Sequence, residues 1–505
     1  MKFAKILSAV LLAVVWEGAF ATGRAAEKPV MVHYMPWFQS QLYPPSDVWG
    51  WHWTMNYFNP NVITNGYREV AAWYYPTIGP YDSADPTVLE YHVLLMKLGG
   101  IDGVIVDWYG MDNFYDYAIN NQRTADLFNY TRKAGLKFSL CYEDATIKQE
   151  VAGGFIAASN AISHAQQTML YVQTNYFTDS SFLRWNNMPV LLNFGPQYFT
   201  QNSQWVSIFS VLNATNQPAF FTEDNRLPVG AGAFDWPPMW MSQANGGILT
   251  DAMMLSYLSS FEQKARSSSW PTFVSTAFPR FHDIYQQAGV GSSYGYLDDQ
   301  SGNTLRESLS RAMTNSSAIV QIATWNDFGE GTIVEPTVDG ISGCALMDTN
   351  EPTTEYGYTD LGIIQDLRRQ YLDASFPYHT NDLTLAARLF NLRREYGSGS
   401  PVVSAELDRV FANIVSGNLA VANLQLTGIE SNVPVIYGLS FANAQLQFSI
   451  GGYLSASGIQ VQSSTDLVLA AWQTVNSLPV GTNQTSFSTL VTPQPSATFF
   501  RIKNN

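Results

Sequence analysis

Residues 101–110 read Ile101-Asp102-Gly103-Val104-Ile105-Val106-Asp107-Trp108-Tyr109-Gly110, a β-branched apolar run that ends in an acid and two aromatic rings. Short runs of this kind recur along the chain as Val30–Phe38, Asp102–Tyr109, Leu136–Glu143, Pro189–Phe194, Ala219–Glu223, Gly232–Trp236, Thr272–Phe278 and Ile319–Trp325. Between them, Thr87–Leu98, Asn121–Ala134, Ser163–Asn175, Ser203–Leu212, Asp251–Arg266 and Thr304–Thr314 carry apolar positions at helical spacing. Asp85-Pro86 supplies an N-cap and a first-turn proline for the first of these helices. Alternation of this kind predicts a mostly parallel sheet wrapped by helices. Eight runs predict its closed form, a (β/α)8 TIM barrel of the α/β class. A doubly wound open sheet is the alternative, but no Gly-x-Gly-x-x-Gly follows the first run.

Six of the runs end in reactive or hydrogen-bonding side chains: Asp107-Trp108-Tyr109, Tyr142-Glu143-Asp144, Asn193, Glu223-Asp224, Arg280-Phe281-His282-Asp283 and Trp325-Asn326-Asp327. In a barrel the C-terminal ends of all strands meet on one rim, where such folds carry their chemistry. Strand ends are often polar for solvation alone; repetition across so many of them favours a site.

The rhythm stops after Thr332. Leu361–Leu372, Leu383–Arg394 and Ala405–Val415 read as helices, and the Gly397-Ser398-Gly399-Ser400-Pro401 stretch separates the last two. From Leu419 to Asn505 charge is sparse, and Gln445–Ile450 and Gly458–Gln462 alternate as strands. At the other end, Lys2 and Lys5 precede the apolar run Ile6–Val15, and Ala19-Phe20-Ala21 is a small-x-small cleavage site. That run is shorter than the ~20 residues of a spanning helix. The expected division is an export signal at 1–26, a catalytic barrel at 27–380, a helical linker at 381–417 and a small fibronectin-like β-sandwich at 418–505. The expected location is secreted or periplasmic, with no membrane span.

Hydrophobic residues make up 46% of the 505 and charged ones 13%, which excludes wholesale disorder. Cys141 and Cys344 allow one bridge at most, so a large core must hold the fold. A net charge of −15 repels polyanions and argues against nucleic acid. Neutral ligands fit better. Trp37, Trp49, Trp51 and Trp53 crowd one stretch with Tyr34, Tyr43 and Tyr57, and such rings present flat faces of the kind that stack on sugars.

Cleaving a glycosidic bond takes one carboxyl group to protonate the leaving oxygen and a second as base or nucleophile. Thr324-Trp325-Asn326-Asp327-Phe328-Gly329-Glu330-Gly331-Thr332 places two acids three residues apart at the end of the last strand, in a turn loosened by two glycines. Taken alone, such a pair is more often structural or calcium-related. Held close, the two would repel, which raises one pKa and keeps that acid protonated.

The wider segment Asn326–Pro336 resembles the Asn-Glu-Trp-His-Glu-Gly-Thr-x-Ile-Glu-Pro signature of the endo-α-mannosidases, glycoside hydrolase family 99, within the broader grouping of families 71 and 99. Tyr34-Met35-Pro36-Trp37, His52-Trp53, Ile78–Ser83, Glu90-Tyr91-His92, Gly99–Gly110 and Cys141–Asp144 match further motifs of that family in the same order, over roughly residues 29 to 340.

The resemblance implies a retaining glycosidase that needs no cofactor. Asp327 is implied as the base that deprotonates the sugar 2-hydroxyl, which attacks its own anomeric carbon to give an epoxide-like intermediate. Glu330 is implied as the acid and later base. Tyr142, His52 and Trp53 are implied as sugar contacts. Tyr34, Trp37, Asp107, Tyr109, Glu143, Asn193, Trp236, Arg280, His282, Asp283, Asn326 and Glu335 complete the expected binding set. Asp327 is one methylene shorter than the family's glutamate, and Phe328-Gly329 replaces Trp-His. That departure leaves the sugar open. The expected partner is an α-linked oligo- or polysaccharide. A glycan-binding protein that has lost catalysis is the alternative reading.

Other chemistries find little support. His33, His52 and His282 lack short metal-ligand spacing, so no metal is expected. No Gly-x-Ser-x-Gly elbow or phosphate loop stands out. A lyase would need a base for a uronate, with Arg280 its one evident cationic partner. Oligomeric state is not legible.

Overall fold

The structure, a computed structural model, describes residues 28–338, 343, 357–397, 399–442, 445–453, 458–464, 472–478, 486–490 and 499–504. The segment read as an export signal lies outside them, as does Cys344. Cys141 is buried as a free thiol within the barrel. Among the described residues no helix is long and apolar enough to cross a membrane.

Eight parallel strands form the barrel: β1 (Val30–Tyr34), β2 (Gly103–Trp108), β3 (Lys137–Tyr142), β4 (Met188–Asn193), β5 (Ala219–Glu223), β6 (Gly232–Phe234), β7 (Val274–Ala277) and β8 (Ile319–Ile322). Each pairs with the next in sequence, and β8 returns to β1 with Val30 opposite Val320, so the sheet closes. All eight expected runs are present. Closure removes every edge and aligns the strand ends on one rim.

Met31, Ile105, Cys141, Leu192, Phe221 and Val274 fill the lower interior as one apolar cluster. Side chains alternate across a strand, so two residues further along the same face come His33, Asp107, Glu143 and Glu223. The dry plug thus becomes an acid-lined mouth within one layer. Gly103 and Gly232 open two strands where a Cβ would collide with the carbonyl oxygens of Lys137 and Thr272.

Helices α1 (Pro86–Gly99), α2 (Tyr117–Ala134), α3 (Ala145–Ala152), α4 (Ala161–Val172), α5 (Asn202–Phe209), α6 (Asp251–Ser267) and α7 (Asn303–Thr314) wrap the barrel. Asp85 caps α1 as read from the sequence, its carboxylate accepting from Thr87 N at 2.9 Å. Then come α8 (Thr359–Tyr371), α9 (Thr380–Tyr396), α10 (Pro401–Val415) and α11 (Leu419–Glu430). The segment expected as a helical linker is helical and packs against the barrel's helices. Glu90 on α1 accepts from Nη2 and Nε of Arg393 on α9 at 2.8 and 2.9 Å, and Arg394 pairs with Asp85 at 2.6 Å.

The sandwich was expected to span 418–505, but residues 419–430 are helical and the first strand of that region begins at Pro434. β9 (Pro434–Ala442), β10 (Gln445–Gly452) and β13 (Ser486–Leu490) make one antiparallel sheet; β11 (Ile459–Ser464), β12 (Gln473–Leu478) and β14 (Phe499–Asn504) make another. Phe448 and Ile450 from the first and Ile459 and Val461 from the second share one small core, as in a sandwich.

Candidate active site

The turn after β8 is fixed by its own backbone. Thr324 N donates to Thr332 O at 2.8 Å, and Gly331 N, at a φ of 68°, donates to Asp327 O at 2.9 Å. The Thr324 hydroxyl accepts from Asp327 N at 2.8 Å. Asn326 clasps β1 from both sides, accepting from Met35 N at 2.8 Å and donating to Met35 O at 2.9 Å. The segment after β7 holds the outer side, with His282 N and Ile284 N donating to the carbonyls of Glu330 and Gly329. Asp327 and Glu330 therefore sit on a preorganised turn.

Around that turn the acids of the rim converge. Burial pushes the Asp327 carboxyl up to about 6, while the N–H groups of Glu330 and Gly329 stabilise its anion. Burial holds Glu330 well above the usual carboxylate range, and repulsion from Asp327, Asp283, Glu143 and Glu223 adds to it. Asp107 is raised by burial and then by Glu143 and Asp327, against a hydrogen bond from Tyr109. Glu143 and Glu223 are each pushed up to about 7, chiefly by burial. Arg280, the cation that the sequence places after β7, is buried and committed to Asp360 and Ile333 O.

Two hollows open at the mouth and share Trp51 as a common wall. The larger, about 890 Å³, is lined by Glu330, Tyr285, Trp236, Trp240 and Tyr294. The smaller, about 550 Å³, is lined by Trp37, His52, Tyr109, Tyr117 and Glu143. Both volumes suit a few sugar rings. His52 stacks on Trp37 with ring centres 4.0 Å apart, which fixes both planes. His282 stacks on Trp73 at 4.4 Å. Trp37 Nε1, Asp107 Oδ1 and Asn193 Oδ1 are buried without hydrogen-bond partners. Orphaned polar atoms of this kind need a reason, and a ligand hydroxyl supplies one.

Of the residues read from the sequence, the structure brings Asp327, Glu330, Trp37, His52, Tyr109, Glu143 and Trp236 to the two hollows or their shared acid cluster, with Asp107 among the acids and His282 half-buried on the rim. Others stand behind the wall and require correction as sugar contacts. Tyr34 is buried with its hydroxyl on His92 Nδ1 at 3.0 Å, and Trp53 is buried with Nε1 on Tyr81 O at 2.7 Å. Glu335 is enclosed by the Tyr81 hydroxyl and His92. Tyr142, Arg280 and Asn326 are likewise enclosed. Asp283 accepts from the Ser293 hydroxyl and Tyr294 N at 2.8 and 2.7 Å. Asn193 is buried but keeps its orphaned oxygen. Asp144, one of the polar strand-end residues, takes the backbone N–H groups of Gln197, Tyr198 and Phe199 at 2.8 Å each and is a loop clamp.

Tyr285, Tyr117 and Glu223 were not singled out as contacts. Tyr285 feels both Glu330 and Asp327, yet it lies in a loop with no motif around it. The strand-end pattern did mark Glu223.

No protein-family model matches the chain. In sequence it is similar to a glycoprotein endo-alpha-1,2-mannosidase-like protein of Danio rerio, 21% identical over 331 residues that span 61% of this chain and 71% of the relative. Among solved structures it is similar to the family 99 endo-alpha-mannosidase of Bacteroides thetaiotaomicron, 17% identical with a TM-score of 0.49, covering 71% of this chain and 98% of that one. A glycoside hydrolase-like protein is similar at 14% identity and a TM-score of 0.48, covering 68% and 94%.

Proposed function

We propose that this chain is a retaining glycoside hydrolase related to the endo-α-mannosidases, cleaving an α-linked, mainly neutral glycan with Asp327 as base and Glu330 as acid. The observation that carries this reading is the difference between two carboxyl groups on one rigid turn. Asp327 has two backbone N–H donors and a pKa near 6, whereas Glu330 is surrounded by other acids and held protonated. A pair pushed apart in this way is what acid and base roles need.

In the first step the Asp327 carboxylate takes the proton of the sugar 2-hydroxyl. That oxygen bonds to the anomeric carbon as the glycosidic bond breaks, and Glu330 gives its proton to the departing oxygen. In the second, the Glu330 carboxylate takes a proton from water, whose oxygen opens the three-membered ring. The 2-oxygen recovers its proton from Asp327. Two inversions give net retention.

Asp327 Oδ1 is tied to Glu330 N at 3.0 Å, so the shorter side chain is anchored to the turn and the ring must approach it more closely than a glutamate would require. Aromatic walls at Trp37, Trp236 and Trp240 supply stacking faces, and the acid-rich mouth disfavours anionic sugars.

Reducing-end release from a panel of α-glycans tests the reading. Asp327→Asn and Glu330→Gln are each expected to lose about 1,000-fold or more in kcat while substrate affinity stays within a few-fold. A wild type that binds but cuts no member of the panel would make the chain a glycan-binding protein instead.

A further inference from the structure

Apart from the acid cluster, three side chains distant in sequence converge beside the smaller hollow: Asp112 from the loop after β2, Glu150 from α3 and His164 from α4. One ligating atom of each lies within 4.8 Å of the other two. His164 Nε2 is 2.8 Å from Asp112 Oδ2 and 3.6 Å from Glu150 Oε2. Glu150 is 1% exposed, and that same Oε2 is buried with no hydrogen-bond partner.

We propose that Asp112, Glu150 and His164 bind one divalent metal ion of the zinc class, which fastens the 110–117 loop to helices α3 and α4. The competing description is an imidazolium between two carboxylates. It satisfies Asp112 but leaves Glu150 Oε2 beyond hydrogen-bond reach of the imidazole, a buried carboxyl oxygen that must keep a proton to sit beside a second carboxylate. A cation answers both problems at once. With bonds of about 2.0–2.2 Å, tetrahedral ligand atoms stand roughly 3.3–3.6 Å apart. The 2.8 and 3.6 Å separations bracket that spacing and the third lies within 4.8 Å, so side-chain rotation closes the set on one ion. One neutral imidazole and two carboxylates carry a charge of about −2, which balances the ion, and water completes the shell. Calcium would want about six to eight oxygens, which this set does not offer.

The consequence falls on the hollow. The loop that Asp112 anchors continues into Tyr115, Asp116 and Tyr117, all on the hollow's wall, and the Tyr117 hydroxyl donates to Gln149 beside Glu150. A bound ion would fix that wall while taking no part in bond cleavage.

Titration calorimetry of zinc chloride, and separately calcium chloride, into the full-length protein stripped with EDTA tests the proposal. One equivalent of zinc is expected to bind, with a Tm that climbs with zinc concentration. His164→Gln and Asp112→Asn should each weaken binding by about 100-fold or more, while the exposed His379→Gln leaves it unchanged. Melting of the metal-free variants checks that they fold, and zinc-edge anomalous diffraction from wild-type crystals locates the ion independently of any substitution. Absence of stoichiometric binding to wild type, zinc affinity that survives His164→Gln, or calcium binding more tightly than zinc would each overturn it.

Discussion

Asp327 and Glu330 are the same functional group made different by position. Asp327 faces two N–H donors, whereas Glu330 faces mainly other acids, and the proposed roles rest on that asymmetry. It also sets a pH dependence. Under the proposed roles, activity requires ionised Asp327 and protonated Glu330, so kcat/KM should rise as pH passes about 6 and fall once Glu330 loses its proton at higher pH. Rates measured from pH 4 to 10 check this, and an alkaline limb that is already absent in wild type would speak against Glu330 as the acid. The spacing of the two acids on a glycine-bearing turn is visible in the sequence, but only the resemblance of the wider segment pointed to their roles. Tyr34, Trp53 and Glu335 misled because a sequence marks which residues surround a site but not which face of the wall they occupy. Their hydrogen bonds to His92 and Tyr81 place them one layer behind the wall of the hollows.

Among elements, the barrel strands were legible because burial between core and helices demands uninterrupted apolar runs. α3 escaped notice because Ala145–Ala152 is short and its mixture of Lys, Gln and Glu shows no clear apolar stripe. α11 was not singled out and fell within the expected sandwich region, because the Leu, Ala, Val and Ile of Leu419–Glu430 fit helical and extended periods alike. Tertiary packing decided it, with Ala422, Leu426 and Ile429 buried on one side. The clamp at the end of β3 gives an element-scale test. Asp144→Asn leaves one acceptor oxygen for the three N–H groups of the 197–199 loop and removes the charge that strengthens those bonds. A loss of about 3 kcal/mol is expected in urea unfolding. A loss below about 0.5 kcal/mol would mean the loop is held by its apolar contacts instead.

At the scale of the whole molecule, a large dry core carries a small, costly cluster of acids at its mouth. Glu143 and Glu223 are raised to about 7, above their unfolded values, so the stability they contribute is full below about pH 4 and is lost as pH rises through 7. His33, His52 and His282 are lowered to about 4, 3 and 4, so their contribution is full above about pH 6.5 and is lost as pH falls through those values. The two trends oppose each other in acid, and above pH 6.5 the acids act alone. Tm should therefore fall between pH 6.5 and 8.5, and Glu143→Gln should lessen the fall; a flat wild-type profile by scanning calorimetry contradicts the cluster's electrostatics. A protein that keeps such a cluster trades stability for chemistry.

The central claim is bond cleavage with retention by the acids at 327 and 330, and time-resolved proton NMR of a cleaved α-glycan tests it most directly. The expected first product of wild type carries the α-anomer at its new reducing end, with β appearing only by later mutarotation, and Glu330→Gln should release neither. A β-anomer formed first, or undiminished release by Glu330→Gln, would contradict it.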